Sequence, residues 1–361
     1  MMGSKLPIIV KTIRLRYIGV RNFITKGDEM KRTVWFVLGS LIMPISNCAI
    51  ANDSIARIGT GGITFLKTED VRMAQEVLEI STEAIRVKYR FQNESDKDIQ
   101  ATVAFPMPAY GWNSGESADE TNVKPLRPFT TKVNGHSVVT TIAKKAVINE
   151  QDVTSVFRKI GLTDKQIFET FSHCPGEDDK RFELCGLTQK QEAALEKLGD
   201  WKVSETVLWE QVFPANAEVE VLHEYAPFVG GSYTVPFQKR FGYVSGVLVK
   251  GERAEACVDD GTRNAIERKV KLLAEGGADQ VWVSLAEVEY ILGTGRNWKG
   301  PIGDFKLRII KDSPDQVISL CFPGKPQRVS NTVFEFARTN YDPQDKLIVY
   351  FYSIGASSQV K

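Results

Sequence analysis

Strict alternation of apolar and polar positions is the dominant pattern along the first half of the chain. Residues 85–91 alternate apolar side chains with Arg and Lys, and residues 99–105 alternate again after the polar segment 93–96. A period of two places the apolar set on one face of a sheet and leaves the charges in water. Residues 219–225 repeat the pattern, with His223 on the same strand face as their valines, and Asn134-Gly135 is typical of a tight hairpin turn. These segments predict antiparallel strands.

Residues 144 to about 200 change from this pattern to a helical one. Gly161–Gln166 and Gly186–Gln191 are local copies of Gly-Leu-Thr-x-x-Gln. Thr followed three residues later by Gln is a capping box, which marks the start of a helix. The pattern predicts an insertion of two or three short helices. It is too small and too charged to bury a core of its own.

Short strands return in the C-terminal third, after one helix predicted over residues 262–275. Strands without regularly interleaved helices favour sandwich layers over a doubly wound sheet. We therefore predict a mainly β protein with two antiparallel sandwich-like layers or domains and a small disulfide-clamped helical insertion. A soft boundary near residue 250 would separate an N-terminal β domain, 52–250, from a C-terminal β region, 251–361.

The first 51 residues have the order of a secretory signal. Met30-Lys31-Arg32 precedes the apolar run 33–43, and Ala49-Ile50-Ala51 places small side chains before a cleavage site. The run is shorter than a membrane span requires. We interpret residues 30–51 as a signal peptide cleaved between Ala51 and Asn52, and residues 1–29 as a dispensable upstream extension. The mature chain would carry no integral membrane span and would be periplasmic or secreted.

Composition and charge indicate a globular protein and argue against one that binds nucleic acid. The chain has 361 residues, 42% of them hydrophobic, which is ordinary for a globular protein. Residues 1–51 hold eight of the 46 basic residues but two of the 45 acidic ones, so the remainder has a net charge of −5. A mildly acidic protein without a basic block has no electrostatic footprint for nucleic acid.

Four cysteines remain after the predicted signal peptide: Cys174, Cys185, Cys257 and Cys321. An even number in an exported chain favours disulfides over free thiols, and four cysteines allow three connectivities. We expect the pairs Cys174–Cys185 and Cys257–Cys321, because each pair lies within one part of the chain.

Candidate chemistry is sparse. The Gly59-Thr60-Gly61-Gly62 turn lacks the lysine of a nucleotide-binding loop, and we find no zinc-ligand spacing, so we expect neither a metal nor another cofactor. A general base at His223 with Glu210 as its partner would suit a hydrolase, although a buried hydrogen-bonded histidine explains the same pattern. Tyr110, Trp112 and Trp298 lie in loop-like segments, where exposed aromatic rings could contact a ligand such as a glycan or instead cover the ends of a sandwich.

Several short motifs together resemble a known family. They are Asn52-Asp53-Ser54, Gly61–Phe65, Ala104–Pro108, Trp209–Pro214, His223–Pro227 and Asn297–Ile302. They are similar to an uncharacterised exported bacterial family catalogued as domain of unknown function 4424, over essentially the whole mature chain. The resemblance implies export and a bacterial source. The family carries no assigned reaction, so the resemblance implies no catalytic residue.

The sequence favours a non-enzymatic envelope or periplasmic module that binds another macromolecule or supports its assembly. Two alternatives stay open. One is a hydrolase that uses His223 and Glu210, and the other is a glycan-binding module that uses exposed aromatic rings.

Overall fold

The computed structural model describes residues 52–59, 62–111, 129–168, 186–199, 201–243 and 257–357. Within these ranges the first ten strands are β1 Ser54–Gly59, β2 Gly62–Leu66, β3 Val71–Ile80, β4 Ile85–Asn93, β5 Ile99–Pro106, β6 Tyr110–Gly111, β7 Thr130–Val133, β8 His136–Ser137, β9 Thr141–Ile148 and β10 Gln151–Asp152. The remaining strands are β11 Lys202–Phe213, β12 Glu218–Tyr225, β13 Val229–Gln238, β14 Gly242–Tyr243, β15 Gln280–Ile291, β16 Ile302–Ile310, β17 Val317–Leu320, β18 Gln327–Arg328, β19 Val333–Tyr341 and β20 Lys346–Ser357.

Helical segments are short by comparison. The described residues contain α1 Thr154–Ile160, α2 Asp164–Phe168, α3 Gln189–Leu198, α4 Asp260–Glu275 and a 3₁₀ helix at Gly293–Asn297. The prediction of a mainly β fold with antiparallel sheets is confirmed. None of these helices is long and apolar enough to cross a membrane.

The described strands form three sheets. The first sheet has the order β10-β9-β11-β5-β1-β2, with β6 beside β11. The second has the order β18-β19-β16-β3-β4-β12-β7-β8, and the third β14-β13-β15-β20-β17. Neighbouring strands are antiparallel except β3 and β16, which are parallel.

The parallel pair crosses the expected domain boundary. Strands β3 and β4 precede residue 250, whereas β16 and β19 follow it, and all four belong to the second sheet. The hydrogen bonds between β3 and β16 therefore join the two predicted domains into one sheet. A division near residue 250 does not separate the sheets, because local alternation does not indicate which distant strand becomes a neighbour.

The largest cluster of buried apolar side chains lies where the inner faces of the three sheets meet. Alternation explains how each strand contributes. In β20, Leu347, Val349 and Phe351 enter this core, whereas Ile348 and Tyr350 pack on the other face with residues of α4. Since both faces of β20 are covered, residues 347–352 are all buried.

The helical insertion begins later than predicted and packs against the first sheet. Residues 141–148 form β9, and α1 begins only at Thr154. Phe157, Ile167 and Trp201 form a small cluster with Ala146 of β9, so the insertion completes its core with residues of the sheet.

The two Gly-Leu-Thr-x-x-Gln copies cap their helices and also bind each other. Backbone and side-chain hydrogen bonds between Thr188 and Gln191 form the predicted capping box of α3. The Gln166 side chain donates to the Gly186 carbonyl at 3.3 Å, and the Gln191 side chain donates to the Gly161 carbonyl at 2.9 Å. This reciprocal pairing connects the two helix starts.

Cys257 and Cys321 form a disulfide, as expected from the sequence. The bond joins the segment that precedes α4 to the residue that follows β17. The other expected pair, Cys174–Cys185, lies outside the described residues.

Candidate functional site

A row of polar side chains crosses the inner face of the second sheet. Glu76 on β3 lies opposite Tyr89 on β4, and His223 on β12 lies opposite Thr131 on β7. All four side chains are at most 3% exposed. They point into the core because each shares the parity of apolar neighbours on its strand, as Glu76 does with Leu78. Four polar groups therefore lie inside an otherwise apolar layer.

The segment that enters β1 lies against this row and binds it through two side chains. The Asn52 side-chain amide donates to Glu76 Oε2 at 3.1 Å, and the Tyr89 hydroxyl donates to Asn52 Oδ1. The carboxylate oxygens of Asp53 lie 3.1 and 3.3 Å from His223 Nε2. Neither Asn52 nor Asp53 is exposed.

The third sheet and the 3₁₀ helix close the arrangement from the other side. The Tyr290 hydroxyl of β15 lies 3.0 Å from the Tyr89 hydroxyl. The Thr294 hydroxyl donates to the Asn52 carbonyl, and the Trp298 indole donates to the Asp53 carbonyl at 2.5 Å. We call this set the Asn52–Asp53 cluster; its members are Asn52, Asp53, Glu76, Tyr89, Thr131, His223, Tyr290, Thr294 and Trp298.

Burial sets the electrostatics of the cluster. Loss of water raises the pKa of the Glu76 carboxyl to about 8, although the Asn52 amide acts in the opposite direction. Burial also raises the pKa of Asp53, and the attraction of His223 offsets part of that rise. Glu76 is therefore largely protonated at neutral pH, and its Oε1 has no hydrogen-bond partner within the described part of the chain.

His223 is held on both ring nitrogens and enclosed by aromatic rings. Thr131 Oγ1 lies 3.0 Å from Nδ1, opposite the Asp53 contact at Nε2. Rings of Phe105 and Trp209 lie with centroids 5.2 and 4.9 Å from the imidazole. Since the side chain is 0% exposed, a substrate in solution has no access to it.

The structure does not bring Glu210 to His223. Trp209 contacts the imidazole, and its neighbour Glu210 is exposed and accepts a hydrogen bond from Thr102 at 2.6 Å. Adjacent residues on a strand point to opposite faces. The geometry therefore contradicts the shared cleft that the hydrolase interpretation requires.

The three aromatic candidates do not form one surface. Trp298 is 1% exposed and belongs to the core, which corrects the alternative in which its ring is exposed to a ligand. Tyr110 is half-buried; its ring stacks on Phe228 with centroids 4.4 Å apart, and its hydroxyl donates to Glu205. Trp112 lies outside the described residues, as does Ala51 of the predicted cleavage site.

Sequence reasoning placed His223 on the apolar face but missed its partners. Asp53 is 170 residues away, and Glu76 was not singled out. A signal for Glu76 was present, because Leu78 and Ile80 share its parity in β3. Among the described residues, no group of three or more His, Cys, Asp or Glu side chains could hold a metal ion.

Comparison with known proteins supplies a family. A family model described as domain of unknown function, DUF4424, matches residues 51–350. The chain belongs to the DUF4424 family. The match begins one residue before Asn52 and includes every member of the Asn52–Asp53 cluster.

Solved structures offer a distant likeness. One, from Legionella pneumophila and described as a "putative nutrient binding protein", is 14% identical in sequence. The alignment covers 84% of this DUF4424 chain and 70% of that chain, with a TM-score of 0.39. No curated protein matches the sequence.

Proposed function

We propose that this protein is exported to the periplasm or cell envelope and acts as a non-enzymatic module that binds another macromolecule or supports its assembly. The observation that carries the proposal is the enclosure of the acid and base groups of the Asn52–Asp53 cluster. Asp53, Glu76 and His223 are 0% exposed, and each contacts another member of the Asn52–Asp53 cluster. These groups hold sheets together, so the surface is left to carry the function.

The disulfide and the leader support export. Disulfides persist in oxidising compartments and are rare in the cytosol, and Cys257 is bonded to Cys321. We infer that translation of the exported form begins at Met30 and that cleavage follows Ala51. Cell fractionation with mass spectrometry of the native N-terminus tests this; a cytosolic product that retains its leader would contradict it.

A surface on the third sheet supports binding. Tyr233, Phe241 and Tyr243 lie on β13, β14 and the turn between them, and each is 57–65% exposed. Exposed aromatic residues are enriched at protein interfaces. The acidic balance of the mature chain and its lack of a basic block argue against nucleic acid as the partner.

Photo-crosslinking in intact cells tests the binding proposal. A crosslinking amino acid is placed at Phe241, and in a control variant at Val139, which is 89% exposed but lies outside the aromatic surface. We expect a discrete high-mass adduct from Phe241 and none from Val139. Equal labelling at both positions would contradict a specific surface.

A hydrolase panel tests the rival function. Reproducible turnover by the exported protein that disappears in His223→Ala, with circular dichroism showing that the variant is folded, would overturn the non-enzymatic proposal. We expect no difference in turnover between the two proteins.

A further inference from the structure

We propose that removal of the leader creates a buried ion pair, in which the new α-ammonium group of Asn52 binds the Glu76 carboxylate inside the core. The inference rests on the proposed cleavage after Ala51. It makes processing a step that completes the fold, and it assigns Glu76 as the acceptor of the mature N-terminus.

The position of Asn52 carries the proposal. Its amide donates to Glu76 Oε2 at 3.1 Å, and Tyr89 and Thr294 donate to its two oxygens. In the full-length chain the residue is 0% exposed, and because these bonds do not involve residues before Asn52, we infer that they hold the new N-terminus in the core after cleavage. The α-nitrogen belongs to the same residue whose side chain already contacts Glu76.

Glu76 lacks the partner that such a group would provide. Its Oε1 is buried without a hydrogen-bond partner within the described residues, and the charged group that acts on Glu76 there is another carboxyl, that of Asp53. A buried polar atom left unpaired is costly, and a buried carboxylate needs a cation. An ammonium group supplies both a donor and a positive charge.

The other ionisable groups of the Asn52–Asp53 cluster do not supply a cation to Glu76. His223 faces Asp53, which occupies its Nε2. Tyr89 and Tyr290 bind each other through their hydroxyls, and burial raises the pKa of both, so they remain neutral. Glu76 is therefore the carboxyl group that still lacks a cation in this part of the core.

Formation of the pair consumes one water molecule, in the cleavage of the leader. A leader peptidase adds water across the Ala51–Asn52 peptide bond, which leaves a carboxyl group on Ala51 and an amine on Asn52. The amine then takes the proton of the Glu76 carboxyl, and an ammonium–carboxylate pair results. While Ala51 remains attached, the same nitrogen is an uncharged amide and the pair cannot form.

A double-mutant cycle on chains with defined starts tests the pair. One chain begins at Asn52 and the other at Ala51, and each is prepared with Glu76 and with Glu76→Gln; residues 47–361 group as one compact unit, which contains both chains. We expect Glu76→Gln to lower the Tm of the chain from Asn52 by about 6 °C or more, because it leaves a buried ammonium unpaired. In the chain from Ala51 the same change should leave Tm unchanged or higher.

The matched control is Glu79→Gln, on the same strand but with its side chain 26% exposed and paired with Arg308. It should shift both chains equally. Equal shifts for Glu76→Gln in the two chains would overturn the pair, because a purely steric effect of Ala51 is independent of residue 76. A Glu76→Gln variant that folds in the chain from Ala51 but not in the chain from Asn52 would support the pair.

When Glu76→Gln folds in neither chain, the reactivity of the α-amine of Asn52 tests the pair instead. Wild-type protein beginning at Asn52 should react with cyanate at least tenfold more slowly at its α-amine when folded than when unfolded. Equal rates would overturn the proposal. These chains have defined starts, so they test the pair separately from the proposed export. A native N-terminus at another residue would refute the proposed export and cleavage.

Discussion

Removing the Asp53 carboxylate should destabilise the whole fold, because that group connects the segment before β1 to the second sheet. In Asp53→Ala the His223 Nε2 loses both oxygens, at 3.1 and 3.3 Å, and the imidazole stays fully enclosed. The backbone carbonyl at position 53, which accepts from Trp298, is retained.

Two estimates of the loss in the free energy of unfolding agree at one value. An unsatisfied buried polar group costs about 1–3 kcal/mol, and breaking a buried ion pair costs about 3–5 kcal/mol. A loss of about 3 kcal/mol in the free energy of unfolding therefore holds for either charge state of His223. At about 2–4 °C per kcal/mol for chains of this size, Tm should fall by roughly 6–12 °C.

Thermal and urea unfolding of the purified protein measure the effect. Asp53→Asn keeps an oxygen that can accept the Nε2–H, so we expect it to recover at least half of the lost Tm. Asp304→Ala is the control, since Asp304 is exposed on β16 and surface substitutions usually stay within about 0.5 kcal/mol. An Asp53→Ala protein that melts within 1 °C of the control would refute the anchoring role.

Three further predictions concern Glu76, the disulfide and the cap of α3. In the chain that retains Ala51, burial raises the pKa of Glu76 in the folded state from 4.5 to about 8. The free energy of unfolding of this chain should therefore fall by roughly 5 kcal/mol as pH rises from 4.5 to about 8. Urea titrations at several pH values should show that Glu76→Gln removes this pH dependence. Replacing Cys257 and Cys321 by Ser should cost about 2–4 kcal/mol in urea unfolding, and a reductant should destabilise the wild type by more than it destabilises this variant. Thr188→Ala should cost about 1 kcal/mol through loss of the α3 cap, and limited proteolysis should then cut near that helix first; unchanged cleavage sites would argue against this.

Local patterns predicted most of the strands and caps, because they depend on neighbours in sequence. Alternation over residues 85–91 predicted β4, and Asn134-Gly135 adopts the positive φ values of a tight turn, 47° and 83°. The parallel pairing of β3 with β16 was not predictable in this way. Alternation shows which face of a strand is buried, but not which distant strand becomes its neighbour.

The candidate site shows the same limit. Parity placed His223 among buried residues, whereas its contacts to Asp53 and Thr131 span 170 and 92 positions. For Trp298 the sequence leaves two alternatives open, an exposed ring that contacts a ligand and a ring that covers the end of a sandwich. It is buried because its indole satisfies the Asp53 carbonyl while its ring packs on Phe91, with centroids 4.4 Å apart.

Amine labelling of the native protein tests the central claim most directly. Protein purified from its own cells is treated with an amine-reactive reagent, once folded and once in denaturant, and its N-terminal peptide is analysed by mass spectrometry. We predict a chain that begins at Asn52 and an α-amine that is labelled only after unfolding. A native chain that begins elsewhere, or an Asn52 amine that reacts fully in the folded state, would contradict the account.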